Sequence, residues 1–239
     1  MKYYEVHVID NVAKIKYDSG FDEQDLIMGA QIPEVEDLSN HKIHIQVVSA
    51  RGKLLDIYKP SSNLSMRVIL SDQAKLLLES YRKGNIRFYP CPVLRGKEKV
   101  LGYWITDVVI FDDEWVDIPR STFLFKKRKL IGSEDETPRK YEKTEQIIQF
   151  NDLFELKEFR EKEMWYMDEL RHYRILIKEG CPHHILAIYT TGPKCLIVSE
   201  ELKNELQKQK MDKGLEFKPL EISGPEWYGP NGLRNQYYK

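Results

Sequence analysis

The sequence predicts an α+β fold, a mostly antiparallel sheet carrying two similar strand–capped helix–strand units. Three features lead there. Short segments alternate apolar and polar side chains, as in Lys42–Ala50 (KIHIQVVSA). Two stretches share one pattern, ILSDQAKLLLESYRKGNIRFYP from Ile69 and IVSEELKNELQKQKMDKGLEFKP from Ile197. Each reads apolar pair, Ser, acid, helix-like run, Gly, Phe, one residue, Pro. Glycine, proline and polar clusters punctuate the rest.

Taken in order, Tyr3–Val8 is rich in aromatic and β-branched residues and predicts a strand. Residues 11–41, broken by Gly20, Gly29 and Pro33, predict loop. Lys42–Ala50 predicts a strand, with Leu54–Tyr58 as its hairpin partner across Arg51-Gly52. Val68–Leu70 ends at Ser71, whose hydroxyl suits an N-cap, and Asp72 suits the positive end of the helix dipole. Ala74, Leu77, Leu78 and Tyr81 form an i, i+3, i+4, i+7 stripe. Gly84 suits the position after the helix, where positive φ is needed. Ile86–Val93 and Tyr103–Phe111 predict strands joined through the turn Arg95–Lys99, and Phe123–Phe125 a further one.

Residues 132–146 are polar, lack periodicity and predict a linker between residues 1–131 and 147–239. Beyond it, IIQF at 147–150 predicts a strand and Asn151 a cap for a helix through Leu156, Phe159 and Glu163. Ile185–Tyr189 and Lys194–Val198 predict a hairpin across Thr191-Gly192-Pro193. Then the first pattern returns. Ser199 caps, Glu200 and Glu201 favour the dipole, Leu202 and Leu206 face inward, and Gly214 ends the helix. Leu215–Ile222 predicts a strand broken at Pro219, followed by a Gly/Pro-rich tail with exposed aromatics, Trp227 and Tyr228 among them as spare. The two serines lie 128 positions apart (199 − 71 = 128). Every shared letter has a structural task, so the repeat predicts a repeated supersecondary unit and not a repeated active site.

Composition narrows the function. A hydrophobic content of 41% supports a packed core rather than disorder. A formal net charge of −1 gives no global pull toward nucleic acid or an anionic membrane. No run approaches the ~20 apolar residues of a membrane span, and MKYYEVHVID lacks the apolar core of a signal peptide. Three cysteines without framework spacing, Cys91, Cys181 and Cys195, fit a reducing cytosol.

Chemistry-bearing clusters are few. Cys181-Pro182-His183-His184 with Cys195 has the residue types of a zinc site but not its paired spacing, and adjacent histidines on an extended chain face opposite ways. His41 and His44 do not share a strand face. Cys91 lies between two prolines, and no phosphate-cradling glycine loop or nucleophile-elbow motif occurs. No catalytic residue, cofactor or metal is therefore assigned. Asp112, Asp113, Glu114, Trp115 and Asp117 form an acidic turn, expected to be solvated, with an aromatic anchor, which suits capture of a basic protein partner. Lys126-Lys127-Arg128-Lys129 is the opposite patch, with Phe123 and Phe125 beside it. A hydrolase with a scattered site, using Asp112, Asp113 or Cys91, and an RNA-binding module on the basic patch are the alternatives.

The order of these pieces resembles a bacterial family. An apolar–Ser–helix unit is followed by IRFYPCPV, the aromatic-headed GYWITDVV and then VDIPRS. The chain's later IVSEELKNELQKQKMDKGLEFKPLEI, with Ser-Glu, spaced leucines, Gly, Phe and Pro-Leu, carries most of the weight. Together they cover roughly residues 65–125 and 185–222. The pattern is similar to immunity proteins encoded beside polymorphic toxins. The resemblance implies cytosolic binding and neutralisation of a cognate toxin, without catalysis or cofactor.

Overall fold

The computed structural model describes residues 1–9, 16–17, 46–48, 53–60, 67–131, 140–165, 167–189 and 196–238. These form two compact units, Met1–Phe111 with Pro182–Ala187 and Lys194–Lys218, and Asp112–Cys181 with Ile188–Pro193 and Pro219–Lys239. The architecture is mixed α and β, with several antiparallel sheets and five α-helices among the described residues.

In chain order the elements begin with β1 (Tyr3–Val8), β2 (Lys16–Tyr17), β3 (Gln46–Val48), β4 (Ile57–Tyr58), β5 (Ile69–Ser71) and α1 (Asp72–Tyr81). There follow β6 (Ile86–Pro90), β7 (Val93–Arg95), β8 (Glu98–Val100), β9 (Tyr103–Val108), β10 (Thr122–Ile131), β11 (Lys140–Ile148) and α2 (Leu153–Lys162). Last come β12 (Glu169–Arg174), β13 (Ile185–Leu186), β14 (Ile197–Ser199), α3 (Glu200–Lys208), β15 (Leu215–Pro219), α4 (Gly224–Tyr228) and α5 (Arg234–Tyr237).

The first unit holds three four-stranded sheets, ordered β4-β5-β9-β6, β13-β14-β1-β15 and β2-β3-β7-β8. In the third, β3 and β7 run parallel. The expected pairing of Leu54–Tyr58 with the preceding strand is not made; β4 pairs with β5, Ile57 facing Leu70. Asp56 holds that pairing, taking both the Ser71 amide on its carbonyl (2.8 Å) and the Ser71 hydroxyl on its carboxylate (2.6 Å). The expected strand Ile86–Val93 breaks at Pro90-Cys91-Pro92. Two prolines remove two ladder donors, and its halves enter different sheets.

The first two sheets match bond for bond. Ser71 and Ser199 cap α1 and α3 with φ, ψ of −67°, 164° and −69°, 162°. Their hydroxyls accept the Ala74 and Leu202 amides, both at 3.2 Å. Ser71 N–H donates to Asp56 O (2.8 Å) and Ser199 N–H to His184 O (2.9 Å). Asp72 N–H donates to Gly102 O, Glu200 N–H to Lys2 O, Thr106 N–H to Val68 O and Val6 N–H to Leu196 O, each at 2.9 Å. Tyr103 faces Ser71 on β9 as Tyr3 faces Ser199 on β1. Gly84 (φ 82°) makes the left-handed turn after α1, a conformation that costs a Cβ-bearing residue strain; after α3 it is Lys210 (φ 60°) that takes it, and Gly214 (φ 83°), expected to end that helix, instead leads into β15. The third strand differs in origin. It is β9, downstream, for the first sheet, and β1, far upstream, for the second.

One core takes side chains from both, including Leu70, Ala74, Leu78 and Ile86 with Val198, Leu202, Leu206 and Phe217. A second core of Val48, Tyr58, Ile69, Cys91, Val93, Tyr103 and Ile105 lies on the opposite face of the first sheet.

The second unit is built on the sheet β11-β10-β12 and an aromatic cluster, Phe123, Phe125, Phe150 and Phe159, with ring centroids 5.1–5.5 Å apart. Residues 140–146, expected as linker, are strand; their polarity reflects a hairpin arm with both faces open. The expected short strand at Phe123–Phe125 runs ten residues. Asp152, not Asn151, caps α2 by accepting the Glu155 amide, while Asn151 binds the Glu155 carboxylate. Of the remaining expectations, residues 11–15, 18–45, 49–52 and 132–139, Thr191-Gly192-Pro193 and Cys195 lie outside the described residues; these include His41 and His44.

Candidate functional site

The acidic turn comprises two 3₁₀ turns, Asp113–Trp115 and Ile118–Arg120. Its hydrogen bonds run inward. Asp113 Oδ2 accepts the Tyr189 amide at 3.2 Å. Trp115 O accepts Lys178 N–H (2.9 Å), Glu114 O accepts the Lys178 ammonium (2.7 Å), and Asp117 N–H donates to Leu176 O (2.9 Å). Ser121 links Asp117 O to the Leu176 amide, and Val116 forms a bridge with Ile177. Asp112 is 1% exposed and Asp113 is also buried. This corrects the expectation of a solvated acidic loop. Glu114 is exposed, Trp115 and Asp117 are half-buried, and Asp117 pairs with Arg120 at 3.3 Å. The turn fastens residues 176–178, and the acids left to meet a partner are Glu114 and part of Asp117.

The basic run on β10 is interleaved with acids from its neighbours. Lys126 pairs with Glu145 (2.5 Å), Arg128 with Glu169 (2.9 Å), and Arg171 shares Glu169 (2.5 Å). Phe123 and Phe125 are buried in the aromatic cluster and present no face on which a base could stack.

Burial pushes the Cys91 thiol up to about 12, so it is protonated at neutral pH. His184 is engaged in structure. Its Nδ1 lies 2.9 Å from the Ser199 hydroxyl, and its ring meets Tyr81 edge-on at 5.1 Å. Among the described residues no group of three or more His, Cys, Asp or Glu is placed to hold a metal ion. An open cleft of 490 Å³ is lined by Arg174, Glu221, Ile222, Pro225, Glu226 and Leu233. Its Glu226 is held below the usual carboxylate range by the Ser223 hydroxyl and amide, and by Arg174, which makes it a poor proton donor near neutrality.

Large exposed aromatics are the remaining feature. Phe154 on α2 is 73% exposed and Tyr228 on α4 is 52% exposed; Trp165 and Tyr237 are also open. Trp227, expected to be spare, is buried and stacks on Tyr237 at 5.7 Å. Phe154 was legible. It falls off the Leu156–Phe159 stripe of its own helix and so must point away from the core. No helix among the described residues is long and apolar enough to cross a membrane. A scan against protein-family models returns no match, and a search of curated proteins finds none.

Proposed function

We propose that this chain is an immunity protein that binds and neutralises a cognate toxin in the cytosol of the producing bacterium, without catalysis or cofactor. The observation that carries the reading is the set of exposed aromatics on the second unit, chiefly Phe154 and Tyr228. Such aromatic side chains are the usual anchors of protein interfaces. The order of motifs resembling immunity proteins supports it from the sequence side. A protonated, buried Cys91 and the buried Phe123 and Phe125 favour this binding role over the hydrolase and RNA-binding readings.

The finer architecture belongs to the same proposal. We infer that the two strand–capped helix–strand units are copies of one ancestral unit, the matched hydrogen bonds of Ser71 and Ser199 being the support. In that reading β1 is the third strand of the second copy.

The test is a pull-down of the tagged full chain from its native cells, with mass spectrometry, followed by growth protection against the toxin so identified. Phe154→Asp with Tyr228→Asp should abolish protection and leave the melting temperature unchanged. Equal killing with and without the protein would sink the immunity role. Full protection by the double variant would move the interface elsewhere.

A further inference from the structure

Among the described residues β11, nine residues long, is one of the two outer strands of the three-stranded sheet, β12 being the other. Apart from the half-buried Tyr141 and Ile148, every residue of β11 is exposed. An edge this long offers a row of backbone donors and acceptors to another strand.

Side chains alternate along a strand, so Tyr141, Lys143, Glu145 and Ile147 share one face. Across β10 they meet Leu130, Arg128, Lys126 and Leu124. Glu145 is satisfied by Lys126. Lys143 is not. It stands opposite Arg128, a like charge, whose guanidinium is taken by Glu169, and Lys143 makes no ion pair among the described residues. Ile147 is 54% exposed.

We propose that β11 pairs antiparallel with β11 of a second copy, Thr144 opposite the partner's Thr144. That register sets each Lys143 against the partner's Glu145 and each Tyr141 against the partner's Ile147. The charge row then reads Glu169, Lys126, Glu145 and the partner's Lys143, alternating in sign across the junction. The apolar row runs Leu124, Ile147, then the partner's Tyr141 and Leu130. Sliding by one residue turns the matched faces apart. Sliding by two puts Lys143 against Lys143 or Glu145 against Glu145, which like-charge repulsion disfavours. The strand therefore selects one self-pairing. It is independent of the toxin reading, which places its anchors on Phe154 and Tyr228.

Sedimentation velocity of the full chain tests it. An edge pairing alone buries less than the ~1,600 Å² of a standard interface, so the dimer forms between about 1 and 100 µM. Over that range the mass should rise from 28.3 kDa toward twice that value. Lys143→Glu and Glu145→Lys should each weaken association about tenfold by setting like charges opposite. Mixing the two variants should restore it, as a heterodimer. Lys143→Glu also gains Arg128 as a neighbour within the chain, so its melting temperature should not fall while its dimer is lost. A mass fixed at 28.3 kDa throughout, leaving the edge open or to a different chain, would overturn the proposal. So would a dimer indifferent to both charge reversals.

Discussion

Ser71 and Ser199 head two helices with nearly the same backbone angles, yet the sheets beneath them differ on the face turned away from those helices. On the helix side both contribute aliphatic and aromatic residues to one core. On the other side the first sheet is apolar around Ile69 and Ile105, with the buried ion pair of Arg67 and Asp107 (3.2 Å) farther along β9. Tyr89 and Ile105, neighbours across β6 and β9, border or join a core with Tyr58 and Cys91. Tyr89 sits between Phe88 and Pro90; its counterpart between Phe217 and Pro219 is Lys218. Ile105 is third in Tyr103-Trp104-Ile105; its counterpart in Tyr3-Tyr4-Glu5 is Glu5. There the two make an ion pair at 3.1 Å, both side chains under a tenth exposed, with His7 also on Glu5 at 3.3 Å. Where the sheets share a core each constrains the other's side chains. Where they do not, polarity is free to change so long as each buried charge keeps its partner.

The largest expected effect breaks that pair. Lys218→Met should cost up to about 3–5 kcal/mol by taking the buried ammonium away from Glu5, which keeps His7 beside it. Joining it to the first sheet's solution, Glu5→Ile with Lys218→Tyr, should return stability to wild type or above it. Denaturant unfolding measures both, and a single-variant loss under about 1 kcal/mol would show that the pair is not what the face depends on. Next come Leu78→Ala and Leu206→Ala, matched leucines almost wholly buried in the shared core, each expected to lose about 2–5 kcal/mol. A large gap between them would mean that the core is not equally packed on its two sides. Ser71→Ala and Ser199→Ala should each cost about 1 kcal/mol, read by thermal melts. The smallest effect belongs to α4, a third Ser-capped helix, which has no such sheet. Its capping box holds the Glu226 pKa below the ordinary 4.5, first through the Ser223 hydroxyl, then its amide and Arg174. A depressed carboxylate stabilises the fold above its unfolded pKa and stops doing so as pH falls through the folded value. Glu226→Gln should therefore flatten the acid limb of stability below about pH 4.5 and leave the rest of the profile unchanged.

The serine caps and the helix stripes were legible because their causes are local. Ser71, Ser199 and Gly84 do what their neighbours in sequence require of them. Strand partners were not, because pairing is decided at a distance. Nothing near Tyr3 announces that it will face Ser199, and nothing near Ile57 that it will face Leu70. The arm at 140–148 hid for a different reason. With both faces in water, KYEKTEQII has no alternation to read. At the candidate site, Asp112 and Asp113 resembled a solvated acid run because burial of a carboxylate, or its acceptance of a distant amide as Asp113 accepts that of Tyr189, has no sequence mark. Trp227 looked spare because the ring that covers it, Tyr237, comes ten positions later (237 − 227 = 10), beyond a Gly/Pro-rich stretch.

The placement of β1 between β14 and β15 has a consequence for how the molecule is made. On the ribosome Tyr3–Val8 emerges long before Leu215–Pro219, and at about 5–20 residues per second it waits on the order of 10–40 s for its second neighbour. Throughout that time a strand with Tyr3, Tyr4 and Val6 bound for the interior has no finished sheet to enter. The sheet β4-β5-β9-β6, whose strands all lie within Ile57–Val108, can close early and give the growing chain a folded base. The second sheet closes only after Leu215–Pro219 has left the ribosome, so its completion certifies that everything from Tyr3 to Pro219 has been made.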